Sequence, residues 1–140
     1  MAQQEDILTK TYDLLLYLIP LLSKLPRSHK FTLGDRIENL LLDVLQAFIQ
    51  AYYTGNRTVK RERLRENNLR LETLRYLIRL IHDLDLISNK RYGLISERVD
   101  EIGRMTGGWL KSEARRTRNS SVHSVPPCTV RQTEEFPTEP

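Results

Sequence analysis

Apolar residues recur at steps of three and four in four stretches of this chain, the signature of helices that bury one face. The first stretch runs from about Asp6 to Leu25 and is stopped by Pro26. Within it, Leu14 to Leu22 is almost wholly apolar. Such a helix is expected to be buried on nearly all sides, by its own bundle and by a second subunit. Pro20 lies inside it and has no amide hydrogen, which predicts a kink or a loosened turn. Pro26 to Phe31 reads as a polar loop. Thr32 is the expected N-cap of the second helix, with Asp35 completing a variant of the capping box. That helix is predicted over Leu33 to Tyr53, with Ile37, Leu41, Val44, Leu45, Phe48 and Tyr52 on one face. Leu40, Leu42 and Ile49 widen the stripe beyond what one core needs.

Gly55-Asn56 marks a stop and turn. A third helix is predicted from Thr58 to Leu86, with Leu64, Leu71, Leu74, Ile78 and Ile81 in phase. Ser88 is the expected cap of a fourth, which runs to about Lys111 or slightly beyond on a narrow stripe of Tyr92, Ile95, Val99, Ile102, Met105 and Trp109. Gly103 and Gly107 predict either close approach of a neighbouring helix or tolerance of a weak helix end. No strand-like alternation and no solenoid repeat is found. Four helices with short connections predict an all-α, antiparallel up-down-up-down bundle. The expected domain is residues 1–116. Residues 117–140 lack periodicity and are expected to be a disordered tail.

At 140 residues the chain is long enough for one domain with a real core. Cys128, in the polar tail, is the sole cysteine, so neither an intrachain disulfide nor a cysteine metal site is expected. It reads as a spectator thiol. No basic leader precedes the first helix, and the run from Leu14 to Leu22 is far short of the roughly 20 residues a membrane helix needs. A cytoplasmic protein without a membrane partner is expected.

Charge changes the picture more than composition does. The formal net charge of +4 is unevenly spread. Residues 1–56 are nearly neutral. Between Arg57 and Arg79, Arg57, Lys60, Arg61, Arg63, Arg65, Arg70, Arg75 and Arg79 face only Glu62, Glu66 and Glu72. Ser88 to Arg118 is again basic. Arg61, Arg65, Asn68, Glu72, Arg75, Arg79 and Asp83 step by three or four, so they share a polar face. Part of that face is expected to be laced internally, through Glu72–Arg75 and Glu72–Arg79 pairs. Arginine predominates over lysine, and its planar fork suits phosphate. The asymmetry points to a polyanion. Several copies in a ring would accumulate the field, and non-specific binding would depend steeply on salt. No aromatic–basic interleaving of the RNA-recognition type is read, so base-specific readout is not expected.

Residues for catalysis are few. His29 falls in the first loop, His82 on the third helix beside Asp83, and His123 in the tail. No paired His/Glu metal spacing and no glycine-rich phosphate loop occurs: Gly107-Gly108 is followed by Trp109. No catalytic residue, metal or cofactor is expected, and His82 reads as a helix residue rather than a base. Asp83 and Asp85 near a helix C-terminus oppose the dipole, which hints at a contact role.

Three blocks carry a family resemblance: Leu25 to Asn39, Leu69 to Leu80, and Arg91 through Lys111. In this order they resemble the four-helix-bundle family that includes the accessory variability determinant (Avd) proteins of diversity-generating retroelements. The wider family includes proteins encoded in intervening sequences of bacterial 23S rRNA genes. The resemblance covers about Asp6 to Ser112. It implies a homopentameric barrel of bundles and binding to the element's reverse transcriptase. It also implies binding to template RNA or an RNA/DNA hybrid, in support of mutagenic reverse transcription and retrohoming. The expected contacts to RNA or transcriptase are Arg61, Arg65, Arg75, Arg79, Arg91, Arg98 and Arg104. The expected subunit interface is Leu14, Leu15, Leu18, Leu22, Leu42 and Ile49. The alternatives are an intervening-sequence bundle protein, a purely structural oligomer, and a small helical enzyme using His29 or His82.

Overall fold

The computed structural model describes the backbone of residues 2–123 and the side chains of residues 6–116. The expectations for Cys128 and for residues 124–140 lie outside the described residues. Four long helices carry the fold: α1 (Ala2–Ser23), α2 (Asp35–Tyr53), α3 (Arg57–Asp83) and α4 (Asn89–His123). No strand occurs among the described residues. α1 packs on α2 and α4, and α3 packs on the same two, so the four close into a bundle with α1 and α3 on one diagonal. Arg57 reaches the Arg116 carbonyl while Arg75 reaches Asp100, which runs α3 antiparallel to α4.

The apolar stripes predicted from periodicity are the ones that meet. Ile37, Leu41, Val44 and Phe48 of α2 face Leu64, Leu71, Leu74, Ile78 and Ile81 of α3 in one buried cluster. Ile95, Val99, Ile102 and Trp109 of α4 complete it, with Trp109 stacked on Phe48 at 6.4 Å between ring centres. Fully burying each such side chain contributes about 1.5–3 kcal/mol. Asn67, also buried, donates Nδ2–H to the Val44 carbonyl at 2.9 Å and so ties α3 to α2.

α1 requires a correction. Leu14, Leu15, Leu18 and Leu22 were expected at a subunit interface, yet all four are at most 5% exposed within the single chain. They point into the chain's own core and are not available to another subunit. The outward apolar residues of α1 are instead Tyr12, Leu16 and Ile19. Leu42 and Ile49 on α2 are exposed, as an interface would need. Pro20 does not end α1, which continues to Ser23; Ser23 Oγ donates to the Pro20 carbonyl at 2.7 Å.

The connections depart from expectation in three places. Residues 26–31 do not form an open loop: a single turn, Arg27–His29, leads into a π-helical segment, Lys30–Gly34. Thr32 lies inside that segment and caps nothing; its hydroxyl faces the His29 carbonyl. Gly34 is buried there, with Leu25 Cδ1 3.4 Å from where a Cβ would sit, an ordinary packing distance. Finally, α4 does not stop near Lys111 but carries its helix through residues 117–123, which composition assigned to the tail.

The other caps are in place. Asn56 Oδ1 accepts the Val59 amide at 3.1 Å and starts α3. Ser88 Oγ accepts the Arg91 amide at 3.2 Å and starts α4. Between them, Asp85 adopts a left-handed φ of 63°, and the Leu86 amide reaches back to the Ile81 carbonyl at 2.8 Å. This is a Schellman-type ending with aspartate where glycine is usual.

His82 fastens that corner. Its Nε2 lies 2.6 Å from Asn89 Oδ1 and its Nδ1 3.1 Å from Asp83 Oδ1, while the ring stacks on Tyr92 at 4.2 Å. Both partner atoms accept hydrogen bonds, so both nitrogens carry protons when the site is fully satisfied. The bond to Asn89 first, and that to Asp83 second, raise the His82 pKa above the ordinary 6.5. Position in the last turn of α3 works the same way. A group raised on folding stabilises the fold below its unfolded value and loses that contribution as pH rises through its folded value. NMR titration should therefore place His82 above 6.5, and Asn89→Ala should lower it. Stability should decline, not increase, as pH rises through the His82 midpoint.

Candidate nucleic-acid interface

The seven candidate arginines divide by what holds them. On α3, Arg75 is turned sideways toward α4. Its Nε donates to Asp100 Oδ1 at 2.8 Å and its Nη1 to Glu72 Oε1 at 2.6 Å. Its Nη2 lies over Gly103, only 2.5 Å from where a Cβ would be. Arg75 is thus an interhelical clamp with a glycine seat, and its donors are committed to two carboxylates. It is removed from the expected contact surface for that physical reason. The close backbone approach expected at Gly103 is not found; what lies against it is the end of the Arg75 side chain. At Gly107 no heavy atom lies within 4 Å of an added Cβ, and no such approach exists.

The anticipated Glu72–Arg75 pair is formed. Arg79 instead turns to Asp83, at a loose 3.6 Å with both side chains mostly exposed. Such a pair contributes at most about 1 kcal/mol and yields readily to a stronger anion. Two further arginines face α2: Arg63 binds Glu66 and Glu62, and Arg70 binds the Asn67 side chain. They knit α3 to its own carboxylates and amide.

The remaining candidates have no carboxylate within 4.0 Å among the described residues. Arg65 on α3 and Arg91, Arg98 and Arg104 on α4 are exposed; Arg61 is half-buried, with Nε shielded and no hydrogen bond to it. Lys90 and Lys111 add exposed charge to α4. Because α3 and α4 lie side by side, their outward residues share one flank of the bundle. Unpaired guanidinium groups on a rigid flank can meet phosphate without first breaking an ion pair.

Periodicity alone did not single out the apolar residues on this flank. Leu69 is 70% and Tyr76 64% exposed, on a helix whose buried stripe runs through other leucines and isoleucines. The signal was present: from Arg65, Leu69 and Tyr76 follow at steps of four and seven, on the same line. A second apolar face involves α1 and α2: Tyr12 and Ile49 line one shallow groove with Leu8 and Leu45, and Leu16, Ile19 and Leu42 are exposed on the same two helices.

A groove of about 660 Å³ runs between Tyr17 and the first turns of α4, bordered by Lys90, Arg91 and Glu97. Among the described residues, no group of three or more His, Cys, Asp or Glu is placed to hold a metal ion. No helix among them is long and apolar enough to cross a membrane. His29 is half-buried at the end of the first turn, and His82 is engaged with Asp83 and Asn89.

The Arg75 clamp can be tested by a double-mutant cycle. In the wild-type background, Gly103→Ala must displace the guanidinium. In an Arg75→Ala background it gains about 1 kcal/mol of helix propensity without that displacement. A coupling of about 0.5 kcal/mol or more is expected from denaturant unfolding. Additive effects would show that the guanidinium relocates freely.

No curated protein matches the chain. Among solved structures it is similar to a protein of unknown function from the S23 ribosomal protein family of Bacteroides thetaiotaomicron. The TM-score is 0.72 at 15% identity, covering 78% of this chain and 98% of that one. At that identity the likeness establishes a shared fold. The model of the bAvd-like family matches residues 7–113. That span begins in α1, ends in α4 and takes in all seven candidate arginines. By that match over most of its length, the chain belongs to the bAvd-like family.

Proposed function

We propose that this chain is a non-enzymatic accessory subunit of a diversity-generating retroelement. In this reading it binds the element's reverse transcriptase and its template RNA, or an RNA/DNA hybrid, during mutagenic reverse transcription. Family membership supports the system. One observation carries the chemistry: among the described residues, Arg65, Arg91, Arg98 and Arg104 stand exposed without carboxylate partners, while Arg63 and Arg75 are tied down. Phosphate binding by these groups is electrostatic and independent of base sequence. The subunit acts as a homo-oligomer, which the family resemblance suggests is a pentamer, and repeated flanks would strengthen the field. Tyr12, Leu16, Ile19, Leu42 and Ile49 form the self-contact, in place of the buried leucines of α1.

The fold shared with an S23-family protein favours a second reading, an intervening-sequence bundle protein of the same architecture. A neighbouring reverse-transcriptase gene with paired repeats supports the retroelement, and its absence supports the second reading.

RNA titrated at low and at moderate salt should show a steep loss of affinity. For a single strand, the slope of log K against log salt is about −0.7 per phosphate neutralised. Arg65→Ala with Arg104→Ala should flatten that slope, whereas Arg63→Ala should leave it unchanged. A salt-independent or absent interaction would reduce the charged flank to a solvated face. Light scattering should find an oligomer at micromolar concentration. Leu42→Asp with Ile49→Asp should yield monomers of unchanged helical circular dichroism. A wild-type monomer would remove the assembly from the proposal.

A further inference from the structure

From the outward line of α3 we infer that the flank binds single-stranded nucleic acid in preference to duplex, with Tyr76 as a base-stacking platform. This rests on the nucleic-acid reading above and adds to it a strand preference and a residue.

Arg65, Leu69, Glu72, Tyr76 and Arg79 succeed one another at steps of three and four along one side of α3. Leu69 and Tyr76 are 70% and 64% exposed, and among the described residues no ring is paired with Tyr76. That contrasts with Tyr92, which is committed to His82, and Tyr52, which meets Tyr53. An exposed ring costs free energy in water and is recovered when a flat apolar partner covers it. The only carboxylate within the line, Glu72, is held by Arg75 at 2.6 Å and so repels an incoming phosphate less. Among the described residues Arg65 has no ion pair and Arg79 only a loose one, one before and one after the apolar pair.

Charge complementarity therefore selects an anionic partner, and the exposed ring selects one with accessible base faces. In a duplex the bases are stacked on each other and present edges and phosphates to a convex helix surface. In a single strand they are free to stack on Tyr76 while phosphates reach Arg65 and Arg79. Leu69 provides the adjoining apolar floor. Stacking of this kind tolerates any base, consistent with the lack of a base-reading motif.

The test uses the full chain, a labelled oligouridine of about 20 nucleotides, and an RNA duplex of the same length, a span covering several single-strand site sizes. Wild type should bind the single strand more tightly than the duplex. Tyr76→Ala should weaken oligouridine binding by about tenfold, as alanine substitution of a stacking residue does. Its duplex affinity and salt slope should stay the same, and Tyr76→Trp should restore binding. Arg65→Ala should instead flatten the salt slope for both probes. If Tyr76→Ala binds oligouridine as wild type does, the platform is overturned while the charged flank stands. If Tyr76→Ala instead changes oligomer size or loses the transcriptase with RNA affinity intact, the ring belongs to a protein contact and the inference is equally overturned. If wild type binds neither probe, the nucleic-acid reading itself falls first.

Discussion

Burial of one apolar seam between four helices is the constraint on which the rest of this molecule depends. The seam runs from Ile7, Phe48, Leu64 and Trp109 at one end to Leu22, Ile37, Ile81 and Ile87 at the other. Each helix contributes one stripe, and none can bury its stripe alone. The connections are short, so consecutive helices must pack as neighbours and alternate in direction. Every polar feature is fitted around that seam. Thr11 and Thr106 satisfy their hydroxyls within their own helices, at Ile7 and Ile102. Asn67 spends its amide on the α2 backbone.

The same packing sorts the arginines into two kinds. Three at the sides of α3 lie close to the next helix, where a charge left alone would be partly desolvated, and each of these finds an oxygen. Arg63 and Arg70 do so within α3, at Glu62, Glu66 and Asn67, and Arg75 does so toward α4, beside Gly103. Those at the outer edge remain in water and need no partner, which leaves their charge for a ligand. Ion-paired and unpaired arginines are therefore alternatives at neighbouring positions of one helix. A basic count along the sequence cannot separate them.

Apolar surface is sorted in the same way. The uninterrupted run in α1 suggested a helix covered on every side, but its leucines divide between core and solvent by helical phase. Leu14 and Leu18 face inward, while Leu16 and Ile19 face outward, as do Leu42 and Ile49 of α2. Across the bundle, Leu69 and Tyr76 stand among charged residues of the basic flank. The two exposed apolar faces thus differ in chemistry: one is broad and aliphatic, the other narrow, aromatic and set between arginines.

The sequence by itself determined the number of helices, their core stripes and two of their starts. Each of these is local: a period of 3.6, a breaker such as Pro26 or Gly55-Asn56, or a capping side chain at Ser88. It also carried the family, through blocks spread over most of the chain. Only the tertiary structure decided the π-helical entry to α2, the left-handed Asp85, the continuation of α4 past Lys111 and the fate of each arginine. Thr32 had the right chemistry for a cap, but the π-helical segment Lys30–Gly34 runs straight into α2, so no free helix start is left at Thr32. Arg75 and Arg65 look alike in sequence, since both are arginines on the same predicted face. They differ because one meets Asp100 and a glycine on α4 and the other meets water, and that is a distance between helices which no local pattern encodes.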